Sequence, residues 1–247
     1  MALSILWFFL MPMAGTGAGE LKFTTQEFAP FTYTEKGQAA GPGAEVIRLV
    51  CQQMKTGCKI RVYPWTRAQK CVEEGRANAM FLIGKNPERE NWLWFSHPVL
   101  VTEYGFFVSA DDPLEFRKTS DIKGYSVAVY GPSNTSRSLE KIRAEIGEIH
   151  IDMTPNDEPV FIKLMNRRVE AAYSNKDVGL ALIKKHGLDR IRYAGRHKQL
   201  KYYIGFSKES TPKAVVDKFN AAFAELHQQG RIEKILSHYG MQTAPLK

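Results

Sequence analysis

Most of the short patterns that announce a chemistry are missing from this chain of 247 residues. It has no H-E-x-x-H, no C-x-x-C and no glycine-rich phosphate loop, which leaves zinc-protease, thioredoxin-like and nucleotide-phosphate readings without support. No Ser/His/Asp set stands out. His97, His150, His186, His197, His227 and His238 show no ligand spacing, so surface or structural roles fit them best and no metal or cofactor is expected. Blocks of like charge are absent too. The net charge of +8 is scattered, with pairs such as Arg167-Arg168 and Lys184-Lys185 set among acids, which argues against a nucleic-acid groove. A mildly positive surface suits an anionic ligand or an acidic partner equally well.

Beyond residue 19 no apolar run is long enough to cross a bilayer. Residues 1–19 carry no charge, and their apolar stretch is broken by Pro12 and followed by small residues. An export signal cleaved near residues 18–20 is expected, although its basic n-region is missing; the other reading is that the segment is not a signal. Export would make the protein periplasmic and leave its charge at +8. Cysteines are few: Cys51, Cys58 and Cys71. Cys51 lies in a helical stretch that ends by Gly57 and Cys58 begins an extended one, an arrangement that can bring two Cα atoms within bonding reach. In an exported chain a bridge there would contribute about 2 kcal/mol. In a cytosolic chain three reduced thiols are the better reading, and Cys71, among helix residues, reads as a buried thiol in either case.

What is present is enough for a sizeable core: 44% of residues are hydrophobic and 24% charged, which fits one large domain or two lobes. Strands are expected at residues 21–25, 58–63 and 77–83, with helices at 44–54 and 65–74 between them. Such alternation argues for a parallel sheet covered by helices. An extended run follows at 99–110, and then the pattern restarts: strands at 125–130, 148–153, 169–174 and 190–194, with helices at 137–146, 159–167 and 178–186. Asp157 is placed to cap the second of these helices. Residues 202–207 are extended again, and a last amphipathic helix opens at Thr211-Pro212 with Val215, Phe219, Phe223 and Leu226 on one face. Two such units joined by two extended crossings predict two lobes with a cleft between them: residues 20–109 plus 202–247, and residues 110–201.

Residues 64–98 hold the first candidate for chemistry. After the buried strand comes a polar loop, GKNPERE, in which Arg89 is the one residue able to grip a carboxylate with two parallel hydrogen bonds. A solvated loop arginine is the other reading. Phe28, Phe31 and Tyr33 follow the first strand, where aromatics can stack on a ligand or form a local core; Phe31 is assigned to the core. Arg67 either meets an anion or pairs with Glu73 or Glu74, and the pair is favoured.

In order and spacing, EFAPFTY, GPGAEVIRLVCQQM, PWTRA, EEGRANAMF, PERENWLWFSHP, IKGYSVAVYGPSNT, RRVEAAYSN and YYIGFSK together resemble the extracellular solute-binding proteins of family 3. These are the polar amino-acid receptors of ABC importers, and the resemblance runs over about residues 20–240. It implies an α/β, two-lobed type II periplasmic-binding-protein fold, each lobe a mostly parallel sheet flanked by helices, joined by two hinge crossings. By position, it makes Arg89 the holder of a ligand α-carboxylate, Phe28 the aromatic cover and Trp65 a pocket wall. Ser133, Asn134 and Thr135 match the segment that meets the carboxylate from the second lobe, where a helix start favours an anion. The Cys51/Cys58 pair occurs as a disulfide in histidine-type members. Two departures stand out. Asn175 occupies the place of a carboxylate that pairs with the ligand ammonium, and Asp177 substitutes for it only if the loop curls inward. Small hydroxyl residues expected before the arginine are replaced by Phe81, Leu82 and Gly84. A carboxylate without an ammonium, a modified amino acid or a small peptide therefore fits at least as well as an ordinary amino acid.

Three functions follow. The resemblance implies a monomeric periplasmic receptor that closes over an amino acid or small carboxylate and presents it to a membrane permease. It also admits a cyclohexadienyl-dehydratase-like enzyme on the same fold, with Glu27, Asp177 or Glu103 as acid or base. The third is a ligand-sensing module for a signalling partner.

Overall fold

The computed structural model describes residues 19–246. The expected export signal at residues 1–19 lies outside them but for Gly19. Among the described residues the first element is β1 (Leu21–Thr25), then a short antiparallel hairpin of β2 (Tyr33–Glu35) and β3 (Gln38–Ala40) where only a loop was expected. α1 (Pro42–Gln53) has a proline in its first turn and buries Val46, Ile47, Val50 and Cys51, so it starts two residues before the expected helix. β4 (Cys58–Val62), α2 (Trp65–Glu73) and β5 (Ala79–Gly84) follow; all six residues of β5 are buried, as befits a strand covered on both faces.

The polar loop after β5 is not a loop throughout. It folds at Pro87 into α3 (Pro87–Trp92), because Asn86 caps it, its side chain accepting from the Arg89 N–H at 2.8 Å. β6 (Leu93–Phe95) and β7 (Leu100–Ser109) complete this part. The second unit runs through β8 (Ser126–Tyr130), α4 (Asn134–Ile146), β9 (His150–Thr154), α5 (Asp157–Met165), β10 (Ala171–Asn175) and α6 (Lys176–His186). Then β11 (Ile191–Ser207) carries 17 residues in one strand, where two separate strands were expected. α7 (Lys213–Gln228), α8 (Arg231–His238) and β12 (Gln242–Thr243) close the chain. On α7 the deeply buried residues are Val216, Phe219, Phe223 and Leu226, whereas Val215 lies at the edge of the core.

The main sheet has the order β4-β1-β5-β11-β7-β10-β8-β9. At one end β1 runs parallel to β4 and β5, and at the other β8 runs parallel to β9 and β10. The antiparallel pair β7/β11 joins the two ends, with register shifts at Tyr193/Gly195 and Arg196/Lys198. Gly105 lies on this pair, where a Cβ would fall 2.3 Å from the Gly195 carbonyl oxygen, so no larger residue fits between the strands. Leu100 and Val101 pair with β12, but Tyr104 to Val108 already pair with β10. The expected first crossing near residue 110 thus follows residues that are bonded to the second unit. Hydrophobic clusters lie on both faces of each end of the sheet, one around Phe23, Phe206 and Phe219 and another around Phe106, Val127 and Tyr173.

Cys51 and Cys58 are joined in a disulfide with Cα atoms 6.2 Å apart, tying the last turn of α1 to the start of β4. Cys71 is a buried thiol.

Candidate functional site

Between the two ends of the sheet lies a chamber of about 50 Å³ whose walls include Phe28, Trp65, Arg89, Ser133, Asn134, Thr135 and Asn175. Seven of the residues singled out in the sequence, from segments far apart in the chain, therefore meet in one cavity. The floor is made by Tyr104 of β7 and Tyr202 of β11. A wider groove of about 740 Å³ adjoins it, sharing Gln26, Phe28, Trp65, Tyr130 and Asp157.

Arg89 sits in the first turn of α3 and is buried, 6% exposed. Its Nη1 donates to the Gly84 carbonyl oxygen at 2.8 Å, and its guanidinium lies 5.0 Å from the centre of the Trp65 ring. Burial pulls its pKa below the usual arginine value. Among the described residues no ion pair includes it, so the charge is held by one carbonyl and one ring face. Leaving a buried cation without an opposite charge costs several kcal/mol, so this position is suited to an anion. The solvated-loop reading of Arg89 is thereby excluded.

From the opposite wall comes the start of α4. Ser133 Oγ accepts from the N–H groups of Thr135 and Ser136, each at 3.1 Å, and donates to the Tyr130 carbonyl at 2.7 Å. Its hydroxyl is committed to capping. Asn134 instead reaches across the cleft, its Oδ1 accepting from Asn86 Nδ2 at 2.9 Å. Arg137 and Glu88 form a second bridge at 3.3 Å. Gly84 makes the approach possible, because a Cβ there would lie 2.8 Å from Asn134 Nδ2.

Asn175 faces the chamber but has little to offer a ligand. It caps α6, its Oδ1 accepting from the N–H groups of Asp177 and Val178 at 2.9 and 3.2 Å. Its Nδ2 donates to Thr102 Oγ1 and the Tyr202 hydroxyl at 2.7 and 3.2 Å. Asp177 does not line the chamber: its loop is the first turn of α6, and its carboxylate accepts from Thr102 Oγ1 at 2.7 Å. The carboxylate that does enter is Asp157, at the start of α5, accepting from Ser174 Oγ at 2.9 Å. Loss of water around it pushes its pKa up to about 6 despite the Ser174 hydrogen bond. Sequence reasoning assigned Asp157 to helix capping, whereas Asn156 holds the cap position and Asp157 is the first helical residue. Gln26, Tyr104, Tyr130 and Tyr202 were also missed; Gln26 and Tyr130 lie at strand ends, whereas Tyr104 and Tyr202 lie within β7 and β11 and carried no local signal.

Other candidates lie elsewhere. Glu103 is engaged by Lys176 at 3.0 Å, Tyr193 at 3.1 Å and Arg196 at 3.7 Å, and Glu27 is bonded to Thr34 on the groove rim. Arg67 forms no ion pair with Glu73 or Glu74 among the described residues; it lies over the Tyr63 ring at 4.4 Å, while Glu74 is taken by Lys70 and Arg76. Phe31 is fully buried as expected and supports Phe28, ring centres 5.0 Å apart. No three His, Cys, Asp or Glu side chains among the described residues are grouped to hold a metal ion.

A two-lobed α/β frame with a cleft between its lobes is the build of a type II periplasmic binding protein. The chain belongs to the bacterial extracellular solute-binding proteins, family 3, whose pattern matches residues 22–242. It is similar to the arginine-binding periplasmic protein of Mannheimia haemolytica, 22% identical over 84% of this chain and 85% of that one. Its fold is also that of a histidine kinase sensor domain with similarity to periplasmic binding proteins (TM-score 0.81, 17% identity, 92% and 98% covered). A chain from structural work on glutathione import through GshT and the cystine ABC importer TcyBC of Streptococcus mutans is likewise similar (TM-score 0.81, 20% identity, 92% and 97% covered). No helix among the described residues is long and apolar enough to cross a membrane.

Proposed function

We propose that this protein is a periplasmic receptor that closes over an amino acid or related small carboxylate and presents it to the permease of an ABC importer. One observation carries the reading: the buried Arg89 guanidinium, without an ion pair among the described residues, on the wall of an interlobe chamber. Trp65 and the Gly84 carbonyl hold the fork in place, the start of α4 adds favourable N–H dipoles, and Phe28 covers the ligand. β7 and β11 change partners near Thr102 and Tyr202, which supports a division of the lobes along this pair and its serving as the hinge. Delivery to a sensor kinase uses the same site and differs only in the docking partner; the likeness in fold to a kinase sensor domain favours keeping it as the second reading.

Thermal-shift titration with amino acids and small carboxylates tests the proposal. Stabilisation by at least one class is expected, with loss in Arg89→Ala of about 2–5 kcal/mol of binding free energy, at least about thirtyfold in Kd. No stabilisation by any of them, with Arg89→Ala behaving as the parent, rejects it.

A further inference from the structure

The chamber and the groove meet at a neck, and what lines it differs from what lines the chamber. Phe28, Trp65, Tyr130 and Asp157 border both spaces, with Gln26, whereas Asn175 and Arg89 border the chamber alone. Among the described residues Asp157 is the one carboxylate on the chamber wall, and no ion pair includes it. Lys185, the cation on the groove wall, is paired with Glu158 at 3.6 Å. Arg89 and Asp157 thus present one unpaired positive and one unpaired negative charge to a shared space, which selects a ligand carrying both.

The second question is what kind of cation fits. A primary ammonium brings three N–H groups, each of which needs an acceptor when buried. Several of the acceptors here are already engaged. Asn175 Oδ1 is occupied by two backbone N–H groups, the Gly84 carbonyl by Arg89, and one Asp157 oxygen already takes the Ser174 hydroxyl. What the neck supplies, beside the Gln26 amide, is one carboxylate and three aromatic side chains, which attract positive charge without asking for N–H directions. Room lies on the same side, since the groove is far larger than the chamber. We infer that the ligand is a zwitterion with an N-alkylated or quaternary ammonium, seated at the neck against Asp157, Phe28, Trp65 and Tyr130 while its carboxylate meets Arg89. This rests on the carboxylate reading of Arg89 above. Asp157 is then the residue that sets specificity for the cationic end, from α5 rather than from the end of β10.

Calorimetric titration of the protein tests this with glycine, sarcosine, N,N-dimethylglycine and glycine betaine, with proline against proline betaine, and with acetate as the cation-free control. Affinity is expected to rise at least about tenfold from the unmethylated to the fully methylated member of a series, within reach of aromatic–cation attraction in a desolvated site. Asp157→Asn and Phe28→Ala, with melting curves confirming that both fold, each lower betaine affinity at least about tenfold. Tightest binding by the unmethylated member, or no binding by any methylated one, overturns the inference. Arg89→Ala on the same panel separates the two failures. If unmethylated amino acids or acetate bind and depend on Arg89, the carboxylate reading stands and only the alkylated cation falls. If nothing binds, both fall.

Discussion

Arg89 and Asp157 show opposite sides of reading single residues. Arg89 was legible because no other residue of its loop can grip a carboxylate in two places, and its burial agrees with that role. Arg89→Met keeps the volume and removes the unpaired charge, so the ligand-free variant should melt at or above the parent's temperature while any carboxylate-induced shift disappears. A clear loss of ligand-free stability in that variant would mean that the guanidinium is structural. Asp157 was not legible as a site residue, because an acid at a helix start is ordinary and only the path of α5 turns this one into the cleft. Its carboxyl is raised from 3.8 to about 6, so between those values the folded state holds more protons than the unfolded one and stability falls as pH rises. Asp157→Asn removes that loss. The variant should melt higher than the parent at pH 7, with the difference closing as pH drops towards about 4; an Asn variant that melts lower at pH 7 contradicts the assignment. Binding of a cationic ligand by the parent should weaken below about pH 6, as the carboxylate gains its proton.

At the scale of elements, α3 is the piece whose local signals were present but unread. Asn86 and Pro87 are a cap and a first-turn proline, yet six residues offer no hydrophobic period to reveal a helix. Asn86 does two jobs, capping α3 and donating to Asn134 across the cleft. Asn86→Ala should therefore cost about 1 kcal/mol of stability and also weaken ligand affinity, whereas a cap with no other role would change stability alone. Gly84→Ala isolates the second effect: its Cβ displaces Asn134 Nδ2, so affinity should fall several-fold with little change in melting temperature. The short link between α1 and β4 follows from sequence more directly, because the chain between Cys51 and Cys58 is too brief to separate them far. Cys51→Ser/Cys58→Ser, checked by denaturant titration, should lose about 2 kcal/mol, less than a long-loop bridge would.

For the whole molecule, the division into two α/β units and crossings near residues 110 and 201 were readable from alternating patterns, but not which strands the crossing residues bond. β7 and β11 read as extended throughout, and nothing in an extended pattern says which neighbour a given residue bonds. Only the assembled sheet shows β7 leaving β12 for β10 within a few residues. If the lobes close around ligand about this pair, a saturating ligand at about 100 times its Kd should add about 2.7 kcal/mol to the whole chain. The two lobes should then melt together as one transition, and a ligand that stabilises only part of the molecule would argue that the cleft does not join them.

The amino-acid order alone decided that the chain is built of helix-covered sheets in two units, and that one arginine after a buried strand is suited to an anion. Those follow from periodicity and side-chain chemistry, which are local properties. Tertiary structure alone decided that Asn175 is used up by its own helix, that Asp177 turns to Thr102, and that Asp157 faces Arg89's chamber in their place. Partner choice among polar groups depends on what stands opposite across a cleft, and neither spacing nor composition encodes that.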